Sequence, residues 1–222
     1  MPENLTNDCL PILTKGLKKL SLILSDEQQQ QLLDYVGLLL KWNRTYNLTA
    51  IREPQAMVER HLLDSLSVAA YIEGDSIADV GTGPGLPGVV LAIVYPDKQF
   101  MLMDSNGKKT RFLQQAKMEL RLANVEIYNG RVEAFDPQQR FDAVISRAFA
   151  SLDDMLGWTE KLCHRNGVFL AMKGVYPEQE LADLPERFQL LASHKLMVPH
   201  CNGERHLMVL KNINPTNEDS AE

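Results

Sequence analysis

The chain has 222 residues, 45% of them hydrophobic and 23% charged, with a formal net charge of −6 at pH 7. That length suits one substantial domain with a core of its own, and the negative balance argues against a generic nucleic-acid binder. Cys9, Cys163 and Cys201 are too far apart for a disulfide framework or a metal knuckle. With no signal-peptide layout and no apolar run of membrane-spanning length, a reducing cytoplasm is expected, without a membrane or metal partner.

Residues 5–73 read as helical. Ser25-Asp26-Glu27 is a helix start with Ser25 as N-cap, and Leu32, Leu33, Val36, Leu39 and Leu40 recur at helical spacing. The aromatic and amide-rich stretch 41–49 reads as a packed connector whose Asn side chains tie turns together, or as a wall facing a ligand. A third helix starts near Pro54, carries Met57, Val58, Leu62 and Leu66, and ends at Gly74. On it Arg60 and Asp64 are four apart, as a surface ion pair would be, with His61 beside them.

At Ser76 the pattern changes. Residues 77–80 form a short apolar run, followed by Gly81-Thr82-Gly83-Pro84-Gly85-Leu86-Pro87-Gly88 and an apolar helix over 89–94 that Pro96 closes. Strand, glycine-rich turn and helix make the first half of a nucleotide-binding α/β unit. Asp79 lies inside the strand, where a carboxylate is costly without a partner. Asp104 ends the next strand, 100–104, nineteen residues beyond Gly85, where such folds place the acid that grips a ribose diol.

Alternation then continues: a helix over 108–122, strands at 125–128 and 141–145, a helical stretch that includes Cys163, and a fifth strand at 168–172 after an Asn166-Gly167 turn. A helix is expected over 178–187, and 188–198 can pair with 206–210 as an antiparallel hairpin. The fold expected is a Rossmann-like α/β domain with a mostly parallel seven-stranded sheet and an antiparallel last strand. Residues 1–74 would pack on it as a helical segment, 75–212 would be the ligand-binding domain, and 213–222 an acidic disordered tail. Against the overall charge, 105–121 carries Lys108, Lys109, Arg111, Lys117 and Arg121 with Glu119 as the one acid, a locally basic face able to hold phosphates.

Asp-x-Gly-x-Gly-x-Gly with an acid ending the second strand resembles a class I S-adenosylmethionine methyltransferase. Together with Ser146-Arg-Ala-Phe-Ala150 and Gly203-Glu-Arg-His206, it closely resembles the bacterial family that methylates guanine N7 in small-subunit ribosomal RNA, also called glucose-inhibited division protein B. The resemblance runs from about Leu32 to Lys211. It implies S-adenosylmethionine at the carboxyl ends of the strands. Asp79, Gly81, Gly83, Gly85 and Leu86 would form its loop, Asp104 would hold the ribose, Val132 and Glu133 would border the adenine, and Arg147 would face the cofactor or the incoming base. Arg60, His61, Lys108, Arg111, Phe149, Lys173 and Arg205 would meet the RNA, with Phe149 stacking on the base. The implied partner is 16S ribosomal RNA or the small subunit, the implied target is guanine-527 in the decoding-region loop, and the implied state is a monomer.

What is absent fits N7. Exocyclic amine methylation calls for an Asp/Asn-Pro-Pro-aromatic motif, and the chain has Ser146-Arg147-Ala148-Phe149 there. Methylation at pyrimidine carbon-5 needs a cysteine nucleophile, and none is placed at a strand end. Guanine N7 carries a free lone pair and needs no general base, so no catalytic residue is assigned. Two alternatives stand beside this reading: a nicotinamide-dependent oxidoreductase, since Gly83 to Gly88 also fits Gly-x-Gly-x-x-Gly, and a non-catalytic RNA-binding assembly factor.

Overall fold

Seven strands form one sheet in the order β3-β2-β1-β4-β5-β7-β6. They are β1 (Ser76–Val80), β2 (Gln99–Asp104), β3 (Val125–Asn129), β4 (Phe141–Ser146), β5 (Cys163–Lys173), β6 (Phe188–Lys195) and β7 (His206–Asn212). A computed structural model describes residues 3–147, 149, 151–201 and 203–214. Neighbours from β3 through β5 pair in parallel, and β7 runs antiparallel to both β5 and β6. The central strands are buried on both faces, which is why they read as apolar runs rather than alternating ones. Chain order reverses direction between β1 and β4. At that switch point the loops leaving the two strands part and open a crevice.

The two faces are covered differently. One core joins Ile77, Ala143, Ile145 and Leu170 of the sheet to the N-terminal helices α1 (Glu3–Lys19) and α2 (Asp26–Tyr46), and to α5 (Gly88–Val94) and α6 (Gly107–Glu119). The other joins Ala78, Val80, Val144 and Phe169 to α7 (Leu152–Thr159). Alternate residues of β1 and β4 therefore serve opposite cores, as the pleat requires. Between α2 and β1 a helical run over 54–66 comprises α3 (Pro54–Met57), a π-helical segment Val58–Leu63 and α4 (Asp64–Leu66).

Gln28 ties the helical segment to the sheet layer. Its backbone N–H donates to the Ser25 hydroxyl (3.1 Å) and its side-chain oxygen accepts from the Ser25 N–H (3.1 Å), completing a capping box. Its amide nitrogen donates to Ile93 O (2.9 Å) and Val94 O (3.1 Å), the open carbonyls at the end of α5.

Four local expectations are corrected. The stretch 41–49 is helix as far as Tyr46 and stops at Asn47 in the left-handed region (φ 50°). Its Asn43 does tie a turn, holding Thr49 N and Ile51 O. Cys163 opens β5 instead of lying in a helix, and Asn166-Gly167 sits within that strand opposite a register shift between Phe141 and Ala143. A Cβ on Gly167 would come within 2.6 Å of Asp142 O, so close backbone approach explains the glycine. The helix expected over 178–187 is α8, Glu178–Ala182 only. Pro185 cannot continue it, having no N–H and a ring that clashes with the preceding turn. The third helix has already ended before Gly74, which instead takes φ +76° ahead of β1. The hairpin does form, with Lys195 opposite His206 and Phe188 opposite Asn212, although β6 stops before Val198. Beyond Asn214 the expected acidic tail lies outside the described residues.

Replacing Gln28 with Ala should lower unfolding free energy by about 1–2 kcal/mol, the scale of a lost cap plus buried amide bonds. The exposed Gln30, whose side chain donates to Asp34, is the control and should change stability by less than about 0.5 kcal/mol. Chemical denaturation of both variants measures the difference.

Candidate active site

The loop after β1 is held from several sides. Asp79 is fully buried, and its Oδ2 accepts from the Thr82 hydroxyl (2.5 Å) and from the Gly88 N–H (2.7 Å), bridging the two ends of the turn. The Gly81 and Thr82 N–H groups donate to Met103 O. From the end of β2, Asp104 Oδ2 accepts from Gly83 N (2.9 Å) and Oδ1 from Asn106 N (2.8 Å). The buried Tyr35 hydroxyl of α2 donates to Pro84 O (3.0 Å). Burial pushes the Asp79 carboxyl up to about 6, against the lowering effects of the Thr82 and Gly88 bonds and the Arg147 charge. Its Oδ1 is buried without a hydrogen-bond partner.

Outside this loop lies a cavity of about 440 Å³. Val80 and Gly81 supply one wall, Met103 and Asp104 the next, and Arg131, Val132 and Glu133 after β3 the third. Phe149 and Trp158 close it, packed edge to face with ring centroids 5.5 Å apart. The ends of β1, β2 and β3 and the segment after β4 thus converge on one concavity, whose lining sets apolar groups beside the carboxylates of Asp104, Glu133 and Asp154 and the cations Lys109 and Arg131. Lys109 Nζ stands 3.4 Å from Asp104 Oδ2. At Gly83 (φ +64°) a Cβ would meet nothing nearer than Lys109 Nζ at 3.9 Å, so the space beside it is unfilled.

A second cavity, about 400 Å³, sits beside the first. It is lined by Arg60, His61 and Asp64 from the helical run, Arg147 after β4, Lys173 after β5 and Arg205 ahead of β7. Asp64 is buried, and binds Arg147 Nη1 through Oδ2 (2.9 Å) and Arg205 Nε through Oδ1 (2.8 Å). The helix-surface pair expected between Arg60 and Asp64 is therefore replaced: Arg60 is exposed, while Asp64 turns inward to two guanidiniums. His61 is buried and its Nε2 lies 2.8 Å from the Thr49 hydroxyl. Burial first, then the Arg147 charge, lower its pKa to about 4, which leaves it neutral near pH 7. Lys173 Nζ pairs with Glu180 at 2.8 Å.

The structure sorts the sequence-predicted residues into four groups. Gly81, Asp104, Val132, Glu133 and Phe149 surround the first cavity, with Gly83 at its rim. Arg60, His61, Lys173, Arg205 and Arg147 line the second, and Phe149 walls the first cavity with Trp158. Asp79, Gly85 and Leu86 lie beneath the loop and shape it: Leu86 is in the core, and a Cβ on Gly85 (φ +104°) would collide with Val89 and Leu113. Lys108 and Arg111 are exposed on α6, outside both cavities. Sequence reasoning missed Trp158 and Lys109 as cavity walls, and Asp64 as the link between two arginines. The Arg60-His61-x-x-Asp64 segment was visible, but its partners are 83 and 141 residues away in the chain. Among the described residues no group of three His, Cys, Asp or Glu side chains is placed to hold a metal ion, and no helix is long and apolar enough to cross a membrane.

Comparison with known proteins agrees with this geometry. A profile of the family described as rRNA small subunit methyltransferase G matches residues 28–208. Ribosomal RNA small subunit methyltransferase G of Pseudomonas aeruginosa is 55% identical over 200 residues, 90% of this chain and 94% of that protein. The protein of the same name from Marinomonas sp. is 56% identical over 196 residues, 88% of this chain and 94% of that one. Among solved structures, a SAM-dependent methyltransferase from Aquifex aeolicus superposes with a TM-score of 0.56 at 16% identity, over 70% of this chain and 92% of that one, a likeness of fold.

Two outcomes follow from the loop. The native Asp79 carboxyl holds its proton more tightly than the unfolded chain, whose ordinary value is 3.8. Its stabilising contribution is full below about pH 4 and is lost as pH rises through about 6. The stability of the native chain relative to Asp79→Asn should therefore fall over that interval, by on the order of 3 kcal/mol at about 1.36 kcal/mol per pH unit. Denaturant titrations of both chains at pH 4, 5, 6 and 7 give the difference. Gly83→Val should stay folded yet bind S-adenosylhomocysteine at least roughly 100-fold more weakly, since a branched side chain would enter the crevice from a strained φ. Calorimetry with an intact affinity would mean that the crevice does not hold the ligand.

Proposed function

The chain belongs to the rRNA small subunit methyltransferase G family, and from that membership we propose that it moves a methyl group from S-adenosylmethionine to N7 of one guanine in 16S ribosomal RNA, guanine-527 by family resemblance. The observation that carries the reading is the pair of cavities at the carboxyl edge of the sheet, one with apolar walls and the Asp104 carboxylate at the end of β2, the other rich in guanidiniums. The oxidoreductase and assembly-factor alternatives give way to the family membership.

The first cavity fits an adenosyl group. Gly81 and Gly83 bring backbone to the crevice without a Cβ in the way, Asp104 offers carboxylate oxygens to a diol, and Val132, Met103 and Trp158 supply apolar walls for a flat base. When bound, S-adenosylmethionine supplies an electrophilic methyl group on a sulfonium. The protein's own work is positional. Asp104 fixes the ribose while holding Gly83 N, so ligand and loop share one anchor. Arg60, Arg147 and Arg205 give the second cavity its positive charge, suited to the phosphates of an extruded nucleotide. His61 is uncharged and engaged by Thr49. No residue has to remove a proton, because N7 presents a free lone pair. Orientation and electrostatic fit then do most of the catalysis. Lys108 and Arg111, outside the cavities, extend the cationic track along α6, and the reaction belongs in the cytoplasm with the ribosome.

Small subunits from cells lacking this protein should gain one N7-methylguanine on incubation with the enzyme and S-adenosylmethionine, read by mass mapping of the RNA. A methyl group on an exocyclic amine, or on no ribosomal RNA, overturns the proposal. Replacing Lys108 and Arg111 together with Gln should flatten the dependence of log affinity on log salt by roughly 1.4–1.8, at 0.7–0.9 per phosphate contact. Cofactor affinity should stay within twofold.

A further inference from the structure

We propose that Asp64 is a positioning residue: its single buried carboxylate holds Arg147 and Arg205 as a paired receptor for a phosphodiester of the target nucleotide. The inference rests on the rRNA methyltransferase reading and deepens it. The geometry is specific. Each carboxylate oxygen takes one guanidinium, Oδ2 at 2.9 Å from Arg147 Nη1 and Oδ1 at 2.8 Å from Arg205 Nε. The carboxylate side chain is 5% exposed, while the two arginine side chains are 27% and 32% exposed. The acid is thus the buried pivot and the cations are its accessible arms. A guanidinium carries five N–H donors. Each arginine commits one nitrogen to Asp64, and Arg205 gives a second, Nη1, to Glu204 O (2.8 Å). Donors remain on both arms, and both arms line the same cavity.

Charge gives the ligand. One carboxylate against two guanidiniums leaves the triad at +1, and a phosphodiester at −1 completes it with charge-assisted bonds. Stability alone does not account for the arrangement, because buried Arg–acid–Arg triads can often be replaced by apolar residues without loss. The backbone adds a second sign. Asp64 directly follows the π-helical segment Val58–Leu63, and such segments are found frequently at functional sites. The three members come from the N-terminal helical run, the end of β4 and the approach to β7.

The test uses the full chain and small subunits lacking the methyl group. Asp64→Asn, Arg205→Gln and the double variant are compared with the native protein, with S-adenosylhomocysteine affinity as the check on fold and cofactor site. The expected result is affinity for that ligand within twofold, kcat/KM for the subunit lowered roughly 10- to 100-fold in each single variant, mostly through KM, and a double variant no worse than the poorer single. Asp64→Asn is the sharper arm. It raises the positive charge of the cavity, so if Asp64 only attenuated that charge, kcat/KM would rise; a rise, no change, or losses that add in the double variant each overturn the proposal. Should Asp64→Asn fail to bind S-adenosylhomocysteine, Arg205→Lys decides. It keeps the charge but not the planar fork, so a loss of tenfold or more with intact ligand affinity supports the proposal and full activity overturns it. A native protein that leaves N7 unmethylated sinks the methyltransferase reading itself, separately from the role of Asp64.

Discussion

A carboxylate buried at the end of a central strand sets the shape of the ligand edge. Asp79 cannot reach solvent, so its charge is tolerated only through Thr82, Gly88 and the field of Arg147. Those bonds fold the turn back on itself and start α5 where it starts. Asp104, one strand over, repeats the device from outside by gripping Gly83 N. The glycine loop is therefore suspended between two acids, one spent on its interior and one shared with the crevice. Desolvation is the cost of the first, and a preformed cradle is what it sustains.

The same economy orders the charges around the second cavity. A chain with a net charge of −6 must meet a polyanion. Its guanidiniums Arg60, Arg147 and Arg205 are gathered on one cavity although the overall charge is negative. Long-range attraction is weak in such a protein.

Much of this was legible in the sequence because the responsible signals are local. The strands β1, β2 and β4 announce themselves as apolar runs, since burial on both faces removes the polar alternation. Ser25 and Pro54 mark helix starts by side-chain chemistry that acts over three residues. The glycine loop and Asp104 stand at a spacing that a βαβ unit imposes. What stayed hidden depends on distant contacts. Cys163 looked helical because nothing near it shows that Gly167 must pass close to Asp142. Asp64 looked like a partner for Arg60, four residues away, because helical spacing is visible in sequence and a sheet edge is not. Trp158 drew no notice, since only the fold sets it against Phe149.

The reversed direction of β7 has its own consequence. Every parallel strand reaches the ligand edge with its last residue, whereas β7 reaches it with its first, His206, just after Arg205. The polypeptide then travels away from that edge and completes the strand at Asn212, level with Phe188 at the opposite margin of the sheet. Whatever follows Asn212 starts out from the far side of the molecule. A reporter or immobilising handle fused there would leave the crevice and its cationic neighbour facing open solvent, whereas one inserted in the β6–β7 connection would stand in the doorway.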